Sequence, residues 1–196
     1  KTIVKRVKKD YQLAKLLFNT GNSDAMYLAG LIGDETKMTP DELHHWAEKS
    51  NWSMISEYTV PFVAAESPYG WDLALQWISS DQPHIASSGW ATLSSIVKIT
   101  PDDQLDQPRL QALMKQAAKQ IHQMPERVAY TMNGFIIACG SYVKNLTPLA
   151  KQLATAMGPV TIDLGDTACK LPDILTLIQK VEAAGRVGKK SKTARC

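Results

Sequence analysis

The chain has 196 residues, 44% of them hydrophobic and 21% charged, with 11 glycines and 10 prolines. That excludes a disordered or collagen-like polymer and leaves room for one compact domain or a short repeat array. The formal net charge of +3 averages two basic ends, Lys1, Lys5, Arg6, Lys8 and Lys9 at one and Arg186, Lys189, Lys190, Lys192 and Arg195 at the other, with an acidic body that holds all 19 acids.

Helical periodicity dominates the sequence. Thr39-Pro40-Asp41-Glu42 has the form of a capping box, with Pro40 suited to the first helical position and Glu42 reaching back. Ile55, Tyr58, Thr59, Phe62 and Val63 mark one apolar stripe, Trp71, Ala74, Leu75 and Ile78 the next, and Trp90, Leu93 and Val97 another. Thr100-Pro101 repeats the Thr-then-Pro start signal. Leu110, Leu113, Met114, Ala117, Ala118 and Ile121 form one stripe over 107–123, and Met124-Pro125 breaks the chain. Val128, Met132, Phe135, Ile136, Cys139, Tyr142 and Val143 carry the helix over 126–143. Thr147-Pro148 signals the next start, and Gly158-Pro159 its end. Val160, Ile162 and Leu164 alternate, but the stretch is short and Gly-flanked, so it reads as an extended link.

These signals predict about nine or ten helices in pairs near 24–49, 53–79, 83–100, 107–142 and 148–184. The expected fold class is all-α, an α-α superhelix (solenoid) of degenerate HEAT-like helical repeats, with a closed all-α bundle as the alternative. Residues 1–185 form the expected repeat domain and 186–196 a flexible basic C-terminal tail. Basic ends of this kind suit a polyanion such as nucleic acid, or are plain solvated tails.

Several chemistries lack their signature. There is no run of 18 apolar residues, hence no predicted transmembrane helix, and no secretory signal pattern. Cys139, Cys169 and Cys196 are odd in number and widely spaced, which points to reduced thiols and a cytoplasmic location. His44, His45, His84 and His122 form no His-Glu-x-x-His, so no metal site and no cofactor are expected. No P-loop, Gly-x-Gly-x-x-Gly or Gly-x-Ser-x-Gly occurs.

The aromatics are more informative. Trp46, Trp52, Trp71, Trp77 and Trp90 fall within 45 residues, more than a helical core requires. Trp71 and Trp90 sit in apolar stripes, which favours packing. Trp52 opens its helix beside Asn51 and Ser53, where an aromatic face suits stacking on a base or sugar. Glu57 follows five positions later. A carboxylate beside an aromatic can stabilise a developing oxocarbenium ion, and a solvated surface acid is the bland alternative. Asp72 is a weaker candidate of the same kind. Tyr130 and Asn133 can donate to phosphate or base edges, or make a contact between helices, and Gly134 between Asn133 and Phe135 would admit a close neighbour.

Asn51 to Tyr58, Gly89-Trp90-Ala91-Thr92-Leu93, Tyr130 to Tyr142, and the ending Gly165 to Asp173 with Gly185 to Lys192 together resemble the HEAT-repeat DNA alkylation-repair family. The resemblance implies hydrolysis of the bond between deoxyribose and an alkylated purine, with duplex DNA cradled on a concave face. It also implies that no base is drawn into a deep pocket. Trp52 matches the Trp before that family's catalytic Asp, but the Asp falls at Ser56, with Glu57 one position on. Trp90 matches the Trp of a Trp-x-Arg-Arg helix start whose arginines are Thr92 and Leu93 here. Phe135 keeps a cleft aromatic, and Ala138 stands where a cleft Arg is expected. Charged groups that the mechanism requires are therefore absent.

The resulting expectation is a binder of double-stranded DNA, intact or alkylated, acting as a monomer away from membranes. Trp52, Trp90, Tyr130, Asn133, Phe135, Lys189, Lys190, Lys192 and Arg195 are the expected DNA-binding residues, and Glu57 is the candidate catalytic residue. An active alkylpurine glycosylase using Glu57 and a scaffold for a protein partner are the alternatives.

Overall fold

A computed structural model describes residues 2–165 and 170–195; Lys1, Cys196 and the Asp166-Thr167-Ala168-Cys169 part of the resemblance lie outside the described residues. Eleven α-helices occur among the described residues, and no strand. They are α1 (Thr2–Val7), α2 (Tyr11–Phe18), α3 (Ser23–Ile32), α4 (Pro40–Glu48), α5 (Val60–Glu66), α6 (Gly70–Trp77), α7 (Pro83–Ile99), α8 (Gln107–Gln120), α9 (Glu126–Tyr142), α10 (Thr147–Met157) and α11 (Ile174–Ala183). A π-helical turn, Ile55–Thr59, runs directly into α5.

Most start and stop signals act as their chemistry dictates. Thr39 accepts from the Glu42 N–H while the Glu42 carboxylate accepts from the Thr39 N–H, closing the capping box on α4. Gly158 ends α10 at φ +69°. Val160 to Leu164 is irregular, as an extended link should be.

Two Thr-Pro signals act differently from expectation. Pro101 is extended (ψ 148°) and leads into a single 3-10 turn, Asp102–Gln104; α8 is instead capped by Asp106, which accepts from the Arg109 N–H. Thr147 lies inside α10, and its hydroxyl donates to the Gly140 carbonyl at 2.8 Å. Helices α1 and α2 lie ahead of the first expected pair. α2 is set by Asp10, which caps it at the Leu13 N–H.

The chain divides differently from a 1–185 body with a separate tail. It forms two compact units, the first running to Ile96 and including the stretch from Thr193, the second spanning Val97–Lys192. The core of the first unit holds Phe18 stacked on Trp46, with ring centroids 4.2 Å apart and planes 3° apart, beside Met26, Ile32, Leu43, Ile55 and Trp77. The indole N–H of Trp77 donates to His44 Nδ1 at 2.9 Å, so the ring is buried without an orphan donor. Gly30 of α3 lets the π-helical turn come close: a Cβ there would lie 2.7 Å from Thr59 Cγ2 and 3.0 Å from the Thr59 carbonyl.

In the second unit, α8 to α11 bury Leu110, Leu113, Met114, Met132, Phe135, Ile136, Cys139 and Ile178. Gly140 sits where α9 meets α10 and α11, and a Cβ there would lie 2.5 Å from Ile178 Cδ1 and 2.7 Å from Ala150 Cβ. Burial pushes the Cys139 thiol far up from its ordinary value, so it is a packing group rather than a nucleophile. No helix of the described residues is long and apolar enough to cross a membrane.

Candidate nucleic-acid interface

The expected aromatics separate sharply by exposure. Trp52 is 52% exposed and stands at the entry to the segment Ser53–Thr59. Its carbonyl accepts from both the Ile55 and Ser56 N–H groups, which fixes the backbone while leaving the ring in solvent. Trp90 is fully buried in the first unit and Phe135 in the second, so a base could reach either ring only by repacking a core. Trp46 and Trp77 are buried as well, and Trp71 is half-buried.

Ser56 and Glu57 lie on the π-helical turn, where the hydrogen bond from the Val60 N–H to the Ile55 carbonyl spans five residues. The wider turn means that Ser56 and Glu57 do not project at α-helical spacing from Trp52. Both side chains are buried, Ser56 at 2% and Glu57 at 6% exposure, which corrects the alternative of Glu57 as a solvated surface acid. Ser56 donates to the Ser53 carbonyl at 3.3 Å. Asp72 is exposed on α6.

In the second unit, Tyr130 is half-buried with the Arg127 guanidinium 4.6 Å over its ring. Asn133 is buried and donates to the Pro172 carbonyl at 2.9 Å, an intramolecular contact rather than a free donor for DNA. Among the described residues, Gly134 has no neighbour within 4 Å of where a Cβ would be, so none of them explains it by a close approach.

The tail cations are the clearest departure. Lys190 donates to the Val97 carbonyl at 2.9 Å and pairs with Asp102 at 2.8 Å, while Gly188 and Ser191 donate their N–H groups to the Ser141 and Lys98 carbonyls. Arg195, in the first unit, donates to the Gly30 carbonyl (3.0 Å), the Gly33 carbonyl (2.8 Å) and Glu35 (3.0 Å), and also pairs with Glu66. It thereby caps the C-terminal end of α3 with a cation and neutralises two carboxylates. Glu66 also accepts from the Ala194 N–H at 2.7 Å, and Lys9 pairs with Glu35 on its other side. Burial would raise the Glu35 carboxyl, but Lys9, the backbone and Arg195 together hold it below the usual range.

The stretch from 186 is therefore not a flexible arm. Lys190 and Arg195 are committed to internal partners, while Lys189 and Lys192 remain exposed. Sequence reasoning missed Glu35, Glu66 and Gly30 as partners of Arg195. The separations are 160, 129 and 165 residues, and no local pattern encodes such pairs. Among the described residues no cluster of three or more His, Cys, Asp or Glu could hold a metal ion.

No protein-family model matches the chain. Two curated relatives do. An uncharacterized protein of Listeria monocytogenes is 32% identical over 184 residues, covering 92% of this chain and 79% of the relative. One of Listeria innocua is 31% identical over the same length and the same shares. A solved structure superposes with a TM-score of 0.92 at 30% identity, covering 100% of this chain and 83% of the other. It is described as a new family of proteins related to the HEAT-like repeat DNA glycosylases with affinity for branched DNA structures.

The chain belongs to this glycosylase-related family. Its fold is accordingly an α-α superhelix of HEAT-like repeats. As a member of a family related to the glycosylases, it carries Ser56 where the resemblance to the repair enzymes calls for an Asp, and a serine hydroxyl supplies no negative charge to a sugar cation.

Proposed function

We propose that the chain binds DNA, with branched DNA preferred over plain duplex, by phosphate attraction and aromatic stacking rather than by excising a base. The observation that carries this reading is the likeness over the whole chain to a family member described as having affinity for branched DNA. Trp52 supports it as an exposed stacking platform, and Lys189 and Lys192 as exposed phosphate partners. The burial of Glu57 and the serine at position 56 argue against a carboxylate presented to a sugar.

Fluorescence anisotropy with a four-way junction, a matched duplex and a single strand tests this over a range of salt. The junction should bind most tightly, with log K falling linearly against log salt. Equal affinity for junction and duplex removes the branched preference, and no binding to any of the three removes DNA as the ligand. On alkylated DNA, base release should stay at background; release abolished by Glu57→Gln would reinstate the glycosylase reading.

A further inference from the structure

The second unit contains an open pocket of about 370 Å³ at the joint C-terminal ends of α9 and α11, bounded by the turn that follows α11. Its making is legible residue by residue. Gly185 adopts φ +61°, so the Gly185 N–H reaches the Glu182 carbonyl and the Arg186 N–H the Val181 carbonyl, the paired closure that ends a helix on a left-handed residue. Gly188, at φ +76°, then turns the chain so that its own N–H meets the Ser141 carbonyl at the end of α9. The two turns bring Arg186 and Lys189 to the pocket that Lys180 from α11 also lines.

Three cations thus line one pocket with no carboxylate among its lining residues. Among the described residues, none of the three takes part in an ion pair. Their walls are apolar, from Ile137, Leu177 and Val181.

The fourth polar group is Ser141. It is 4% exposed, lines the pocket, and its hydroxyl has no hydrogen-bond partner among the described residues. Most buried hydroxyls of the long helices are satisfied by the turn before them; Ser87 in α7 is not, but it lies outside this pocket. Ser88, Thr92 and Ser94 in α7 and Thr131 in α9 each donate to a carbonyl four residues back. A buried hydroxyl without a partner carries a desolvation cost that a ligand oxygen would remove.

Cations at helix C-termini also complement the helix dipole. Here the terminal carbonyls are already served: Lys180, Val181 and Glu182 accept from the N–H groups of Ala184, Arg186 and Gly185, and Cys139 and Ser141 from those of Val143 and Gly188. The side-chain cations are left with their hydrogen-bonding capacity for something else.

We propose that this pocket binds a sugar–phosphate unit of the DNA backbone, with the phosphate held by Lys180, Arg186 and Lys189, the Ser141 hydroxyl donating to it, and the deoxyribose against the apolar wall. The inference rests on the DNA-binding reading above and gives it an anchoring site.

Salt titrations of junction binding test it with Arg186→Gln/Lys189→Gln, Ser141→Ala and a charge-matched control, Lys115→Gln/Lys119→Gln on the exposed face of α8. The exposed glutamines leave the core untouched, and circular dichroism checks folding. The Arg186/Lys189 variant should weaken binding by about tenfold per charge removed near 0.1 M salt and flatten the salt slope by about 0.9 per charge. Ser141→Ala should weaken binding with the slope unchanged, because no counterion is released at a hydroxyl. Wild-type affinity and slope in either pocket variant would overturn the inference while leaving DNA binding intact, as would an equal loss in the α8 control. Absence of DNA binding by the wild-type chain would instead overturn the proposed function, and the anchoring site with it.

Discussion

The two units use the same stretch of basic sequence in opposite ways. In the first, Arg195 is withdrawn from solvent, with its side chain 12% exposed between Glu35 and Glu66. In the second, Arg186, Lys189 and Lys192 stay exposed, and only Lys190 is paired. A charge count therefore overstates what the tail offers a polyanion. Cations become available for phosphate only where the fold gives them no carboxylate, and within this stretch that condition separates Arg186, Lys189 and Lys192 from Lys190 and Arg195.

A large expected effect comes from breaking the first unit at its clasp. Arg195→Ala leaves Glu35 and Glu66 largely buried without their shared cation and should cost about 3 kcal/mol of stability. All five tryptophans precede Val97, so intrinsic tryptophan fluorescence in a urea titration follows the first unit, while far-UV circular dichroism follows both. The fluorescence midpoint should fall by more than the Arg186→Gln midpoint does. An unchanged midpoint would mean that the clasp is an ornament of the tail.

Acid should attack the first unit through the same kind of group. Burial would raise the Glu42 carboxyl, but Lys15, the Tyr11 hydroxyl (2.6 Å) and the Thr39 N–H bring it down to about 2 from 4.5. Glu35 is lowered too. A carboxyl lowered by folding binds its proton more readily in the unfolded chain. Its contribution is complete above pH 4.5 and disappears as pH falls toward about 2. The tryptophan-monitored midpoint should decline across that window. A flat profile there would remove these ion pairs from the stability of the first unit.

Local chemistry was legible in the sequence and distant pairing was not. The capping box at Thr39 and the stop at Gly158 each use contacts within a few residues, and both stand in the fold. The stripes over 107–123 and 126–143 likewise became α8 and α9. The fate of Arg195 depended on carboxylates more than 120 residues away, which no periodicity announces. The surroundings of Glu57 were hidden for a different reason: one π-helical turn, packed close against Gly30 of another helix, changes the angular step. Of the expected interface, Trp52, Lys189 and Lys192 are exposed, while Trp90 and Phe135 are buried because their stripes face the core and Asn133 is buried with its amide on the Pro172 carbonyl.

Two tryptophans of the first unit sharpen that division. Trp52→Ala should lower DNA affinity by about 1–3 kcal/mol and change stability by less than about 0.5 kcal/mol. Trp90→Ala should do the reverse, costing about 3–5 kcal/mol of stability. Anisotropy and urea titration on the two variants decide it, and loss of DNA affinity in neither would leave the first unit without an aromatic contact.

The smallest effect concerns two glycines on α9. Glycine in a helix interior costs about 0.5–1 kcal/mol relative to alanine, so each needs a local reason. Gly140 has one: a Cβ would lie 2.7 Å from that of Ala150, a neighbour whose short side chain cannot swing aside. Gly140→Ala should therefore destabilise the second unit by about 1–3 kcal/mol. Gly134 has open space instead, and Gly134→Ala should stabilise by about 0.5–1 kcal/mol in a urea titration followed by circular dichroism. If it does so and DNA affinity is unchanged, the glycine serves no contact. If stability rises while affinity falls, the open space over Gly134 is where a ligand backbone approaches, and the interface of the second unit extends one to two turns up α9 from the pocket at Ser141.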